Sequence, residues 1–172
     1  MQLDMETVMA DEVKWQDSYL AYLAQIAELI KQHGWAIQMV APVESDPLPH
    51  LSFGYTVGLL ERGCAAEIML VGLDALTTQA VLNEIAASMA NGTGIPPSSW
   101  DLSGGYMLKP VFMTRSESPL HYGVAKAYYE RSGIPMVQYV WPAKNHAYPW
   151  EDGWPLGPDV QPVGGAGRPL GA

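Results

Sequence analysis

The stretch that decides the fold is WAIQMVAPVESDPLPHLSFGYTVGL, residues 35–59. Strand-forming residues fill 35–41 and 51–59, and a loop rich in proline and aspartate, residues 42–50, separates them. No helical repeat lies between the two runs, so they are neighbours in sequence without a crossover helix. This adjacency favours an α+β domain with a mostly antiparallel sheet over a doubly wound parallel one.

Helices and further strands follow on both sides of this pair. An amphipathic helix precedes it and stops at Gly34, and a second helix runs from an N-capping Asp74 to Asn91. A third helix is predicted to start at Ser118-Pro119. Pro110 lies inside the predicted strand 106–114 and indicates that this strand is at an edge of the sheet or contains a bulge. Strands are predicted at 67–73, 106–114 and 136–141. The sequence therefore predicts a five-stranded, mostly antiparallel sheet packed by about three helices.

The first helix carries the clearest apolar stripe in the chain. Its members recur every three or four residues, as the buried face of a helix does. They are Trp15, Tyr19, Tyr22, Leu23, Ile26, Leu29 and Ile30. This spacing predicts a helix that ends at Gly34.

The length of 172 residues suits one domain. We assign residues 1–152 to a single α+β domain, because apolar residues are dense throughout that range. Residues 153–172 are rich in glycine and proline and poor in apolar side chains. This composition predicts a flexible tail.

Charge and cysteine content exclude several classes of protein. The net charge of −9 repels phosphate backbones and anionic lipid, so neither nucleic acid nor a membrane is expected as a partner. The only cysteine, Cys64, rules out an internal disulfide and is expected to be a packing residue. The first residues are acidic and no apolar run spans a bilayer. We therefore expect a cytoplasmic protein; its oligomeric state does not follow from the sequence.

Several motifs together resemble a bacterial family known only as domain of unknown function four-two-six-two. The motifs are Gly34-Trp35, YTVGL at 55–59, Glu67 before an apolar strand, Asn91-Gly92, Tyr128-Tyr129, QYVWP at 138–142 and YPWE at 148–151. The resemblance extends from about residue 34 to residue 153. It implies a fold and a candidate surface, and it implies no reaction.

Two positions depart from the pattern of that family. The family usually has a His-Pro pair just before the glutamate, where this chain has Ala65-Ala66. It also tends to carry an aspartate directly after Trp-Pro, where this chain has Ala143. A member that lacks these polar residues is altered in any activity that rests on them.

Catalytic and metal-binding chemistry is thinly represented. The four histidines and Cys64 lack the spacing of shared metal ligands, so no metal site is expected, and no cofactor can be named. The strongest acid-base candidate is Glu67, paired with His121 or with His50. A charge at this position is costly unless it is paired, for which Arg62 or Lys109 is a possible partner. The competing interpretation of Glu67 is a solvated strand end.

Aromatic and amide side chains give the leading binding hypothesis. They combine large apolar surface with a polar tip, which suits both cores and ligand pockets. A glutamine inside an apolar strand must also have its amide satisfied, by backbone or by something bound. The predicted pocket residues are Tyr55, Thr56, Gly58, Gln138, Trp141 and Trp150. Core packing is the alternative use of the same residues.

Three functional hypotheses remain open on sequence. The first is a binding module that uses this pocket for a small planar ligand or a protein partner. The second is a hydrolase or transferase built on Glu67 with a histidine. The third is an immunity or anti-defence protein, because an acidic surface suits the capture of a basic toxin. The binding module is favoured, because the polar groups are too few and too dispersed in the sequence to form a convincing catalytic set.

Overall fold

The structure is a computed structural model, and it describes residues 5–42, 51–113 and 120–165, with side chains of the first helix from residue 14 onward. The helices are α1 Met5–His33, α2 Ala75–Asn91 and α3 Gly123–Tyr128, with a short 3-10 helix at Leu59–Arg62. The strands are β1 Ala36–Val40, β2 Phe53–Val57, β3 Glu67–Val71, β4 Trp100–Asp101, β5 Met107–Phe112 and β6 Met136–Val140. None of the described helices combines the length and the apolar character that a bilayer crossing needs.

The strands form one mixed sheet in the order β1-β2-β3-β6-β5-β4. The α+β class with three helices is confirmed, but the sheet has six strands in place of the predicted five, and one of its pairs is parallel. The strand that the sequence did not predict is β4, Trp100–Asp101, which has only two residues and is too short to show an alternating pattern. The central pair β3 and β6 is parallel, with Glu67 opposite Met136, whereas the other pairs are antiparallel.

Helices cover both faces of the sheet, which explains why β2, β3 and β6 are buried along their full length. Helices α1 and α3 contribute Ile26, Ile30 and Ala125 to one core, where they meet Tyr55 and Met69. Helix α2 builds the second core on the opposite face. Its buried residues Leu82, Ile85 and Met89 pack with Ile68, Leu70 and Tyr139.

The apolar stripe of α1 is only partly used by this sheet. Ile26 and Ile30 are buried, whereas Trp15 is 67% exposed and Leu29 is 43% exposed. The helix has 29 residues and a length of about 43 Å, whereas a five-residue strand spans about 17 Å. Periodicity identifies an apolar face of a helix and does not reveal what covers it.

The predicted ends of the helices can be compared with the structure. Helix α1 stops where Gly34 takes φ 92° and its N–H donates to the carbonyl of Ile30. The Asp74 N-cap of α2 is confirmed, because its carboxylate accepts from the N–H of Thr77 at 2.9 Å. Helix α3 begins at Gly123, and the predicted start at Ser118-Pro119 lies outside the described residues.

Pro110 lies in a part of β5 that, among the described residues, has a paired strand on one side only, which corresponds to the edge position that the sequence predicted. It is opposite Tyr139 of β6, while β4 pairs only with Met107 and Leu108 on the other side of β5. Within the described residues, the missing N–H of Pro110 therefore removes no bond between strands.

Composition assigned residues 153–172 to a flexible tail, but residues 160–165 lie against the sheet. Gln161 is buried, and its amide donates to the carbonyl and accepts from the N–H of Trp141, both at 2.9 Å. Gly72 has φ 79°, and a Cβ at this position would lie 2.3 Å from the carbonyl oxygen of Val160. The backbone of the segment thus passes directly over the end of β3. Residues 166–172 lie outside the described part of the chain.

We predict that Gly54→Ala lowers the free energy of unfolding by about 1–3 kcal/mol. Its new Cβ would lie 2.7 Å from both Met39 Sδ and Thr78 Cγ2, where α2 packs on β2. Urea unfolding measures the change. Gly123→Ala is the matched control, because nothing lies within 4 Å of its added Cβ and a stability change near zero is expected. Equal losses in both variants would contradict this account of the α2 packing.

Candidate functional site

The buried carboxylate of Glu67 lies at the start of β3 and is fully enclosed. Its Oε1 accepts from the N–H of Gly58 at 3.1 Å, the N–H of Leu60 at 3.2 Å and the hydroxyl of Tyr129 at 2.5 Å. Its Oε2 accepts from the hydroxyl of Thr56 at 2.6 Å. One side chain therefore joins β2, the 3-10 helix, β3 and the residue that ends α3.

These contacts overturn two expectations about Glu67. It is not a solvated strand end, because its exposed fraction is zero. Neither Arg62 nor Lys109 is its partner: Lys109 lies over the ring of Tyr148, 4.1 Å from the centroid, and Arg62 forms no ion pair with a described residue. Hydroxyl and backbone donors satisfy the carboxylate in place of a cation.

Burial raises the pKa of Glu67, because an ionised carboxylate loses its hydration inside the protein. The hydrogen bonds from Thr56, Tyr129, Leu60 and Gly58 act in the opposite direction and do not cancel the effect of burial. Burial, together with the neighbouring charge of Glu67, also raises the pKa of the Tyr129 hydroxyl. Burial therefore favours the protonated form of both groups.

The proposed acid-base pair with a histidine finds no support in these contacts. His121 is exposed, while the polar partners of Glu67 within the described residues are Thr56, Gly58, Leu60 and Tyr129. His50 lies outside the described residues. Cys64 is buried, and burial followed by the charge of Glu67 raises the pKa of its thiol, which disfavours a reactive thiolate.

Gln138 is satisfied by the backbone of the C-terminal segment. Its Nε2 donates to the carbonyl of Pro162 at 2.9 Å, and its Oε1 accepts from the N–H of Gly164 at 2.8 Å. The side chain is fully buried. Of the two possibilities that the sequence left open for this amide, the described contacts provide buried backbone.

The other pocket residues of β2 also belong to the interior. Tyr55 is 1% exposed and its hydroxyl accepts from the N–H of Val124 at 3.3 Å. The hydroxyl of Thr56 accepts from the N–H of Ile68 at 3.0 Å while donating to Glu67. Gly58 has φ 114°, and its missing Cβ would lie 2.9 Å from Ile30. The structure therefore brings Tyr55, Thr56, Gly58 and Gln138 into the core and not around an opening.

Trp141 and Trp150 reach the surface and are half-buried. Trp141 donates its Nε1–H to the carbonyl of Val71 at 2.8 Å, and its ring lies 5.6 Å from that of Trp154. Trp150 stacks on Tyr148, with the ring centroids 5.0 Å apart and the planes 6° from parallel. Only these two residues of the predicted set are available at a surface.

A groove of about 260 Å³ opens beside Trp150. Its lining is mostly proline, valine and tryptophan: Pro149, Trp150, Pro158, Gln161, Pro162 and Val163. Four of these six residues come from the segment that composition assigned to a tail. Sequence reasoning missed them because single prolines in a glycine-rich stretch carry no periodic signal. Tyr129 was missed as a site residue because nothing in Tyr128-Tyr129 indicates which hydroxyl turns inward.

The two departures from the family pattern lie in different places. Ala65 is exposed, and its N–H donates to the carbonyl of Gly94 at 2.8 Å, while Ala66 is buried. Ala143 is buried in a turn, where its N–H donates to the carbonyl of Ala147 at 2.8 Å. In the described part of the chain, no group of three or more acidic, histidine or cysteine side chains has the geometry of a metal site.

We predict that Glu67→Leu costs about 4 kcal/mol or more in the free energy of unfolding, because several buried donors lose their acceptor. Glu67→Gln keeps an oxygen for Gly58 and Leu60 and is expected to cost less. Urea unfolding of the two variants beside the parent protein measures both values. Equal losses would show that the acceptor oxygens do not matter.

The raised pKa of Glu67 predicts a particular dependence of stability on pH. Folding favours the protonated acid, so its contribution is largest below the ordinary value of 4.5 and decreases as pH rises from there towards the raised value. The stability of the parent protein relative to Glu67→Gln should therefore decrease as pH rises above the ordinary value of 4.5. A difference that stays constant or grows with pH would mean that the donors hold the carboxylate ionised.

We predict that Gln138→Leu lowers the free energy of unfolding by about 2–4 kcal/mol, because the carbonyl of Pro162 and the N–H of Gly164 lose their partners. Thermal and urea unfolding measure the loss. Gln79→Leu, at an exposed position of α2, is the control and should change stability little. An unchanged melting temperature in Gln138→Leu would return this residue to the candidate ligand-binding set.

Comparison with known proteins identifies the family and nothing more specific. No curated protein matches the chain, and no solved structure matches it. The family model described as domain of unknown function (DUF4262) matches residues 29–155, which contain β1 to β6, α2 and α3. The chain therefore belongs to the DUF4262 family.

Proposed function

We propose that this protein is a binding module that holds a small planar ligand against Trp150. The observation that carries the proposal is the groove beside this residue, in which a stacked tryptophan is combined with three prolines and a valine. Tyr148 covers one side of the indole in a near-parallel stack, so the remaining exposed surface of Trp150 is available to a second ring. Trp150 is the residue that the sequence-based pocket and this groove share.

Charge narrows the class of ligand. Glu151 and Asp152 follow Trp150 directly and are exposed, and Asp159 follows the groove residue Pro158 and is also exposed. In a chain with net charge −9, these carboxylates favour a neutral or cationic ring over an anionic one. The rigid prolines lower the conformational entropy that binding must remove, because their backbone is already restricted.

Small size also limits the ligand. The groove volume of about 260 Å³ lies just below the range of about 300–1,000 Å³ that is common for ligand pockets. A single fused ring with a short substituent suits this volume. The catalytic alternative has less support, because Glu67 is enclosed by its donors and no histidine is among its described partners.

The experiment compares three probes that share one ring: tryptamine, indole and indole-3-acetate. Ligand-observed NMR and titration should rank their affinities in that order, since their charges are positive, zero and negative near neutral pH. Trp150→Ala should weaken binding of tryptamine by about threefold to tenfold, from the loss of a stacking partner. The chain also offers a matched control. Trp15 is exposed and stacks on Tyr19 in a similar geometry, with centroids 5.4 Å apart, so Trp15→Ala should leave the affinity unchanged.

Two results would contradict the proposal. Equal weakening in Trp150→Ala and Trp15→Ala would show nonspecific stacking on exposed tryptophan. The opposite ranking of the probes would show that the carboxylates near the groove do not select the ligand. Capture of a basic protein partner, the immunity hypothesis, stays a separate prediction with no described contact that favours it.

A further inference from the structure

A second cavity lies at the C-terminal end of α1, between its last turn and the 3-10 helix. Its volume is about 450 Å³. Its lining residues include Ala27, Ile30, Lys31, Glu61, Arg62 and Tyr128. None of them lines the groove beside Trp150. The two cavities are therefore separate sites with different chemistry.

Two permanent cations line this cavity in a strongly acidic chain. Neither Lys31 nor Arg62 forms an ion pair with any residue that the structure describes. Other cations of the chain have aromatic partners: Lys109, Lys126 and Arg131 lie over the rings of Tyr148, Tyr122 and Tyr129. Among the described residues, Lys31 and Arg62 thus have no ionic partner that would compete with a ligand.

The position of Arg62 depends on a glycine. A Cβ at Gly34 would lie 3.3 Å from both Cδ and Nη1 of Arg62, so the guanidinium arm passes close to the end of α1. Gly34 also takes φ 92°, a conformation that side chains with a Cβ rarely adopt. The turn that ends the helix therefore also leaves room for the guanidinium arm in the cavity that Lys31 lines.

Two groups oppose an anion in this cavity. Glu61 carries a negative charge and accepts from the hydroxyl of Tyr128 at 2.9 Å. The carbonyl end of α1 adds about half a negative charge. Against two cations, these leave a net charge of roughly +0.5 before any contribution from His33. The affinity of the cavity for an anion should therefore be weak and sensitive to salt. Removing the charge of Glu61 should increase this affinity, which provides a test.

We propose that this cavity binds a small organic molecule that carries one oxyanion group. The oxyanion pairs with Arg62 and Lys31, since a guanidinium offers two parallel donors to a phosphate or carboxylate. The volume is large enough for an organic body beyond the charged group. That body lies against Ala27, Ile30 and the ring of Tyr128, the apolar and aromatic surfaces of the lining.

Phenyl phosphate is the probe, and inorganic phosphate is its counterpart without the organic body. Titration calorimetry and the amide shift of Gly34 in labelled full-length protein report binding. Phenyl phosphate should bind saturably and more tightly than inorganic phosphate, and added salt should weaken both. Arg62→Gln should weaken phenyl phosphate by about tenfold or more, whereas Glu61→Gln should strengthen it.

The control is Lys144→Gln, which removes an exposed lysine that does not line the cavity, and it should leave the affinity unchanged. Lys31→Gln repeats the test if Arg62→Gln does not fold. Similar affinity in Arg62→Gln and the parent protein would overturn the site. Equal affinities for inorganic phosphate and phenyl phosphate would overturn the organic ligand. Neither result affects the Trp150 groove, which the indole series tests separately.

Discussion

The fold depends on a buried carboxylate that organises the backbone around it. Glu67 accepts hydrogen bonds from donors in β2, in the 3-10 helix and at the end of α3, and it does so from the first residue of β3. At Gly58 the chain leaves the sheet in a left-handed conformation, so the N–H groups of Gly58 and Leu60 find their acceptor in Glu67 and not in a neighbouring strand. The carboxylate supplies the missing acceptors, so removing it would leave polar groups unpaired where water cannot reach them.

A second polar connection holds the opposite part of the sheet. Gln138 on β6 binds the backbone of residues 162 and 164, and Gln161 binds the backbone of Trp141 at the end of the same strand. An amide of the sheet thus binds the backbone of the C-terminal segment, and an amide of that segment binds the backbone of the sheet. This reciprocal arrangement positions Pro158, Pro162 and Val163 beside Trp150 and so builds the groove that we propose as the ligand site. The groove and the packing of the C-terminal segment are therefore parts of one structure.

The polar residues of the family motifs divide into interior and surface groups. Thr56, Glu67 and Gln138 are fully buried and bonded within the protein, so their presence in the motifs reflects what the fold requires. Trp150 stays partly exposed and is the motif residue on which a ligand can stack. Lys31 and Arg62 belong to no motif that we identified, and only the folded chain gathers them in one cavity. Both proposed sites therefore differ from the pocket expected on sequence.

The sequence by itself determined the α+β class, helix α2 with its Asp74 cap, the end of α1 at Gly34 and membership of the family. These features depend on local chemistry: apolar periodicity, capping side chains and glycine conformations act within a few residues. Tertiary structure alone decided that β3 and β6 pair in parallel, that Glu67 meets Tyr129, and that residues 160–165 satisfy Gln138. The physical reason is that hydrogen-bond partners far apart in sequence are selected by which elements pack together. The residues next to it in the sequence do not indicate which elements those are.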